Sequence, residues 1–445
     1  MGVESLPQFD RWVSEEFKKN SQFGSKDRKW YSEMLFSGVR FGSFVLFCAL
    51  LADQHKKKPV ALKTSADAQA AIGSLVCSAL GQFKLQISNE KTLLAGWKKL
   101  RPEEYFYWIR LRYVSEKPEA AEVLPLADLF PGSSLLYSAL EQRFNTSEDL
   151  EEQLLFASIP LSYAPALQAR ILKSGWSTEQ VHAFIKNQNT RPPLWLRMNY
   201  PEKTNQVFAE LEKENFELRA FENALIATGV KGIFATESHR TGLFEIQDLA
   251  SQKIGAAVQC LPSQLVWDCC AGGGGKTLQI AARLQNKGAV YASDVREYKL
   301  EEVKKRARRA GFFNIRCLPW DGKGLPNFQK EVQNRKGFDW VLVDAPCSSS
   351  GTWRRNPDAK YRIEQSNIEN LTSLQLQLLT QSSAAVRPHG RLVYSTCSWV
   401  VSEDEQIIDV FLAANPSFKL ESQTLYGNPF DDADTMFAAV LVRVS

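Results

Sequence analysis

Apolar residues recur at intervals of three and four over Phe9 to Lys19, Asp27 to Leu51, Ala66 to Ser78 and Glu103 to Val114, the spacing that lines one face of a helix. Few stretches before residue 150 alternate, so residues 1–150 are predicted to form an all-helical domain. Over 151–245 the texture changes. Ser177-Thr-Glu-Gln180 has the capping-box form of a helix start, and Leu194 to Met198 and Glu217 to Phe221 read as strands around a helix from Thr204 to Phe216. That alternation predicts a small α+β domain. In 246–445 strands at Leu265 to Cys269, Ala289 to Asp294, Ile315 to Leu318, Asp339 to Asp344 and Arg391 to Thr396 have helices between most of them. This is the pattern of an α/β, mainly parallel, doubly wound sheet, whose ligands gather at the carboxyl ends of the strands. There is no internal repeat.

The 445 residues are too many for one ordinary core, in keeping with several domains. With 54 Lys and Arg against 50 Asp and Glu, the net charge of +4 requires any contact with an anionic polymer to be local. The eight cysteines show no C-x-x-C spacing and read as reduced, with no metal site expected. Met1-Gly-Val-Glu-Ser-Leu-Pro7 has no basic cluster followed by an apolar run, and no segment holds the roughly 20 apolar residues of a membrane span. A soluble, cytoplasmic protein acting as a monomer is expected.

Candidate chemistry begins at Val266-Trp-Asp-Cys-Cys-Ala-Gly-Gly-Gly-Gly-Lys-Thr277, a buried strand running through four glycines into a helix. Glycines there let the backbone turn sharply and approach a nucleotide-like ligand. A Walker A loop needs glycine where Cys270 stands, and a dinucleotide fingerprint from Gly272 needs it at Thr277, so neither motif is met. What remains is the loop of Rossmann-like methyltransferases, with Asp268 ending the strand and the glycines making room for the amino-acid end of S-adenosylmethionine. Asp294 closes the next strand, where a carboxylate can bind both ribose hydroxyls, and Asp321 is placed to meet the adenine amino group.

Two further strands carry thiols. Asp339-Trp-Val-Leu-Val-Asp-Ala-Pro-Cys347 delivers Asp344 and Cys347 to the carboxyl edge, and Leu392-Val-Tyr-Ser-Thr-Cys397 delivers Cys397. Ser402-Glu-Asp-Glu405 reads as a capping box opening the next helix, which puts Cys397 in a turn. Singly, each cysteine is most simply a small buried hydrophobe. Together they suit methylation of carbon 5 of cytosine, which needs a thiolate to add first at carbon 6, and Asp344 is suited to meet N3 and the exocyclic amine of the base. The base must be single-stranded or flipped out. Arg354 and Arg355, with Trp353 to stack, fit an RNA contact, whereas Lys304-Lys-Arg-Ala-Arg-Arg309 reads better as a solvated helix end.

At these residues the sequence resembles the RsmB/Sun family of RNA cytosine-C5 methyltransferases. The resemblance lies in Pro193-Leu-Trp-Leu-Arg-Met-Asn199, Gly242-Leu-Phe-Glu-Ile-Gln-Asp248, Cys270 to Lys276, Asp344-Ala-Pro-Cys347 and Ser395-Thr-Cys-Ser398. Phe23-Gly-Ser-Lys-Asp-Arg28 and the helix after it are similar to a NusB-like RNA-binding domain. The resemblance implies a Rossmann-like class I methyltransferase domain with S-adenosylmethionine as cofactor. It implies Cys397 as nucleophile and Cys347 as the residue that helps release the product. Cofactor contacts are implied for Cys270, Ala271, Gly272, Gly273, Gly274, Gly275, Lys276, Asp294, Asp321 and Asp344. Residue types alone lean towards Cys347 as nucleophile, because Pro-Cys is the nucleophile motif of DNA cytosine-C5 methyltransferases. The family's Ala-Pro-Gly-Gly loop is four glycines here, and the glycine of its Pro-Cys-Ser-Gly motif is Ser349. Family analogy favours small-subunit (16S) ribosomal RNA as substrate. Transfer RNA, or a non-catalytic RNA-binding assembly role on the same fold, are the alternatives.

Overall fold

The computed structural model describes residues 9–444 except 58, 60–61, 87–89, 117–126, 223, 229–231 and 363–364. The chain divides into two compact units, one of residues 1–190 with 353–365, the other of residues 191–352 with 366–445.

The first unit is helical. The helix Phe9–Lys19 forms where the pattern placed it, but the run read as one helix from Asp27 to Leu51 is two, Ser25–Arg40 and Gly42–Lys57, bent by 71° at Phe41. The break has a packing cause. A Cβ on Gly42 would lie 2.0 Å from the Trp97 ring, and the Trp97 indole N–H donates to the Gly42 carbonyl at 3.0 Å. Gly42–Lys57 then runs through the middle of the unit, with Phe44, Val45, Phe47 and Cys48 fully buried. Helices continue past residue 150, as Leu150–Phe156, Ala164–Ser174 and Thr178–Asn187, the last opened by the Ser177–Gln180 capping box.

Residues 353–365 belong to this helical unit, which corrects one expectation. Trp353 and Arg354 are 0% and 1% exposed and do not present themselves to a polynucleotide. Trp353 stands edge-on to Tyr163, with ring centres 4.9 Å apart, and Arg354 Nε donates to the Thr190 carbonyl at 2.9 Å. Arg355 is exposed.

The second unit holds two sheets. β1 (Leu194–Met198), β2 (Glu217–Phe221), β3 (Ala224–Thr228) and β4 (Phe244–Ile246) form an antiparallel sheet in the order β2-β3-β1-β4. β5 (Leu265–Asp268), β6 (Ala289–Asp294), β7 (Ile315–Pro319), β8 (Phe338–Asp344), β9 (Val386–Thr396), β10 (Phe418–Tyr426) and β11 (Met436–Arg443) form the larger one. Its order is β10-β11-β9-β8-β5-β6-β7, with the five strands from β9 to β7 parallel, β11 antiparallel to β9, and β10 antiparallel to β11. The mainly parallel sheet is as expected. Val266, Trp267, Val341, Leu342, Leu392 and Val393 are fully buried, the run of apolar residues that a strand covered on both faces requires. The strand order reverses between β5 and β8, so a crevice opens at their carboxyl ends. No single helix among the described residues is long and apolar enough to cross a membrane.

Candidate active site

Asp268, Asp294 and Asp344 close β5, β6 and β8, so the parallel register brings three carboxylates to one edge. After β5 the chain turns through the glycines into the helix Gly275–Arg283. Gly272 and Gly274 have φ of 51° and 85°, and a Cβ on Gly274 would come within 2.9 Å of Val303, so glycine is required there sterically as well as conformationally. A Cβ on Gly272 would meet nothing within 4 Å, so the turn faces open space.

The residues around that space fit the amino-acid and ribose parts of the expected cofactor. Asp268 is 1% exposed; its Oδ2 accepts from the Thr277 hydroxyl at 2.6 Å, while Oδ1 has no partner among the described residues. Burial pushes its carboxyl up to about 7. An orphaned, buried carboxylate oxygen of this kind is a ready acceptor for a cationic amino group. Asp294 Oδ2 accepts from the Gly272 N–H at 2.9 Å, and Oδ1 accepts from both the backbone N–H and Nε of Arg296, each at 2.9 Å. Burial opposes ionisation of Asp294, but these donors hold it below the usual carboxylate range. Arg296 thus occupies oxygens that ribose hydroxyls would use, a competitor the sequence did not reveal. Asp321 lies one residue beyond Trp320, whose N–H donates to the Asp294 carbonyl at 3.3 Å, and is exposed at the same edge.

The loop is braced from the small sheet. Glu245 of β4, 3% exposed, pairs with Arg306 at 2.9 Å and with Arg309 at 2.5 Å, and Arg306 also donates to the Gly273 carbonyl. Lys304 pairs with Glu301. Three of the five basic residues of this run are therefore paired within the protein.

The two thiols meet. Cys347 Sγ lies 3.3 Å from Cys397 Sγ, and both residues are partly exposed. Lys276 Nζ is 2.7 Å from Asp344 Oδ2, and the Ser395 hydroxyl donates to Asp344 Oδ1 at 2.9 Å. Burial works against the Lys276 charge, but Asp344 more than compensates, leaving the ammonium harder to deprotonate. The thiols titrate unequally. Its hydrogen bond with Cys397 and then burial drive Cys347 up, whereas the bond with Cys347, a second between the Cys397 thiol and Ser349 Oγ at 3.6 Å and the Lys276 charge bring Cys397 down against burial and the Asp344 charge.

Three further features hold this pair, and sequence reasoning found none of them. Ser349 adopts φ 57°, the left-handed region that favours glycine, and from there its hydroxyl reaches Cys397. Gly351 stitches the loops together: its N–H donates to the Cys397 carbonyl at 3.0 Å, and its carbonyl accepts from Thr435 N–H at 2.9 Å. Finally, the Ser402–Glu405 capping box does not form. Asp404 is the N-cap residue without a side-chain cap, because its carboxylate accepts from Thr396 Oγ1 at 2.6 Å, and Glu403 turns inward beneath both cysteines. The S-E-D-E pattern is the only sequence signal, and it points equally to a cap.

The profile of the family described as 16S rRNA methyltransferase RsmB/F matches residues 257–436, which include the loop, both cysteines and Asp344. Over that segment the chain is similar to the RsmB/F family. Similar proteins include a probable ribosomal RNA small subunit methyltransferase B of Synechocystis, 28% identical over 70% of this chain and 72% of its own length. The protein of that name from Bacillus subtilis is 35% identical over 43% of this chain and 42% of its own length. The chain spans 66% of the Vibrio vulnificus ribosomal RNA small subunit methyltransferase B. Among solved structures, PH0851 covers 96% of the chain, and the chain 93% of it, at TM-score 0.63 and 21% identity. NSun6 from Pyrococcus horikoshii with SFG covers 62% of the chain, and the chain 97% of it, at TM-score 0.53 and 17% identity. These likenesses carry the fold alone.

Proposed function

We propose that the protein transfers a methyl group from S-adenosylmethionine to carbon 5 of a cytosine in small-subunit ribosomal RNA, with Cys397 as nucleophile and Cys347 assisting release. The observation that carries this reading is the sulfur pair, 3.3 Å apart at the edge where the Lys276–Asp344 pair also stands. Methyltransfer to a ring nitrogen has no use for a second thiol. The names of the relatives support the choice of RNA.

Cys397, the more acidic thiol, attacks carbon 6 as the thiolate, and the electron pair of the 5,6 double bond moves onto carbon 5. The cofactor supplies the methyl group that carbon 5 then takes. Solvent water at the partly exposed thiols takes the carbon-5 proton, the electron pair of that carbon–hydrogen bond re-forms the 5,6 double bond, the carbon 6–sulfur bond breaks, and Cys397 leaves as thiolate. Cys347, held as a thiol against it, keeps the departing sulfur solvated by a hydrogen bond. Asp344 is oriented by Lys276 and Ser395 to meet N3 and the amine of the base. The cofactor contacts proposed are Asp268 and residues 270–276 for the amino-acid end, Asp294 for the ribose and Asp321 for the adenine.

The test uses two variants incubated with target RNA and S-adenosylmethionine. Cys347→Ala should accumulate a covalent RNA complex on a denaturing gel, and Cys397→Ala should not; the opposite pattern refutes the roles. Bisulfite mapping of RNA from a strain lacking the protein should show one small-subunit cytosine losing its mark, and an unchanged small-subunit map refutes the substrate.

A further inference from the structure

Behind the sulfur pair lies a buried carboxylate that the scheme above leaves unused. Glu403 is 0% exposed. Its Oε1 accepts from the backbone N–H of Ser348 at 2.7 Å and from Gln375 Nε2 at 3.1 Å. Its Oε2 accepts from the Ser348 hydroxyl at 2.5 Å and from the Ser398 hydroxyl at 2.6 Å. Three of these four bonds come from residues directly following a cysteine: Ser348 after Cys347, and Ser398 after Cys397. Gln375 closes the ring by donating also to the Pro346 carbonyl at 3.0 Å. Four donors thus converge on one buried carboxyl group.

We propose that Glu403 is a positioning residue for both cysteines, one that fixes the sulfurs against each other and makes them unequal, leaving Cys397 as the one free to attack. The proposal rests on the division of roles given above. The arrangement is one-sided. Glu403 bonds twice to the residue after Cys347, and its negative charge opposes a thiolate at Cys347; at Cys397, Ser349 and Lys276 favour the thiolate against Asp344. A clamp serving only to join two loops needs no charge. Glutamine would suffice, because its carbonyl can take the Ser348 N–H and the Gln375 amide while its own amide donates to the two hydroxyls.

Glu403→Gln in the full chain separates the two roles. Iodoacetamide alkylation from pH 5.5 to 9, read at each cysteine by peptide mass spectrometry, needs neither RNA nor turnover. Its outcome is therefore independent of whether the cytosine scheme holds, which the covalent-complex assay decides. In the unaltered protein Cys397 should react first at neutral pH. In Glu403→Gln the Cys397-to-Cys347 rate ratio should fall about tenfold, an alkaline shift should appear in the pH–rate profile of methyl transfer, and kcat should drop with KM for RNA unchanged. Glu403→Asp, which restores the charge, should recover part of the ratio. If Glu403→Gln does not fold, Ser348→Ala gives the reading: it removes a donor that disperses the carboxylate charge, so the ratio should rise. An unchanged ratio in a folded Glu403→Gln, or in Ser348→Ala, overturns the proposal.

Discussion

Replacing Asp268 by asparagine should make the protein more stable and less able to bind its cofactor, and pH should report both. The carboxyl is fully buried, one oxygen has no partner among the described residues, and its pKa is raised to about 7 from an ordinary 3.8. Between those two values the native state holds one proton more than the unfolded state. Stability therefore falls as pH rises through this window, and the loss is complete above about 7. At ~1.4 kcal/mol per unit, the unaltered protein should lose about 2.5 kcal/mol between pH 5 and pH 8 that Asp268→Asn does not lose. Urea denaturation of the cofactor-free proteins at several pH values measures the difference. Cofactor binding runs the other way, because a cationic amino group needs the ionised form. Calorimetric titration with S-adenosylmethionine should give about tenfold weaker binding at pH 6 than at pH 8 for the unaltered protein, and weak, pH-independent binding for Asp268→Asn. Parallel stability curves for the two proteins from pH 5 to pH 8 would refute the reasoning.

Ser349→Gly should relieve a left-handed backbone at a cost to the nucleophile: stability should rise by up to ~1 kcal/mol in urea, while alkylation of Cys397 at pH 7 slows because its thiol loses a hydrogen bond that lowers its pKa. Gly351→Ala should be strongly damaging, because its Cβ would lie 1.7 Å from the Thr435 carbonyl oxygen. A loss of about 3 kcal/mol or more in urea, together with loss of methyl transfer, is expected.

The catalytic sheet was readable because its strands are short apolar runs ending in acids or cysteines, a signature that burial on both faces imposes. Residues 265–268, 289–294 and 338–344 lie where the pattern put them to within a residue. β10 and β11 went unread. β10 is an edge strand with most side chains exposed, and its neighbour β11 is set by a pairing with β9 that lies over 40 residues away. The bend at Phe41 depends on Trp97, and no periodicity within the helix foretells it. At the site, residue types placed Cys347, Cys397 and Asp344 at one edge because each ends a strand or lies within three residues of its end. Glu403 escaped because its partners lie 5, 28 and 55 residues away, and a local capping pattern competed for the same letters. Trp353 and Arg354 misled for a related cause: arginine beside tryptophan is equally the composition of a packed joint and of an RNA platform.

Between its two cysteines the chain leaves the catalytic unit for residues 353–365 and then returns. Tyr361 shares a hydrogen-bond cluster with Ser158, and Lys360 Nζ donates to Asn189 at 2.9 Å, so this excursion is built into the helical unit as its last piece. Genetic shuffling of the front domain therefore faces a constraint that an N-terminal appendage would not impose. A fragment beginning at residue 191 keeps every strand yet exposes a tryptophan, a tyrosine and two cations evolved for burial, a few residues from the Cys347 loop. Exchange between relatives is expected to succeed only when residues 353–365 travel with the helices, so the two segments evolve as one unit despite lying more than 150 residues apart.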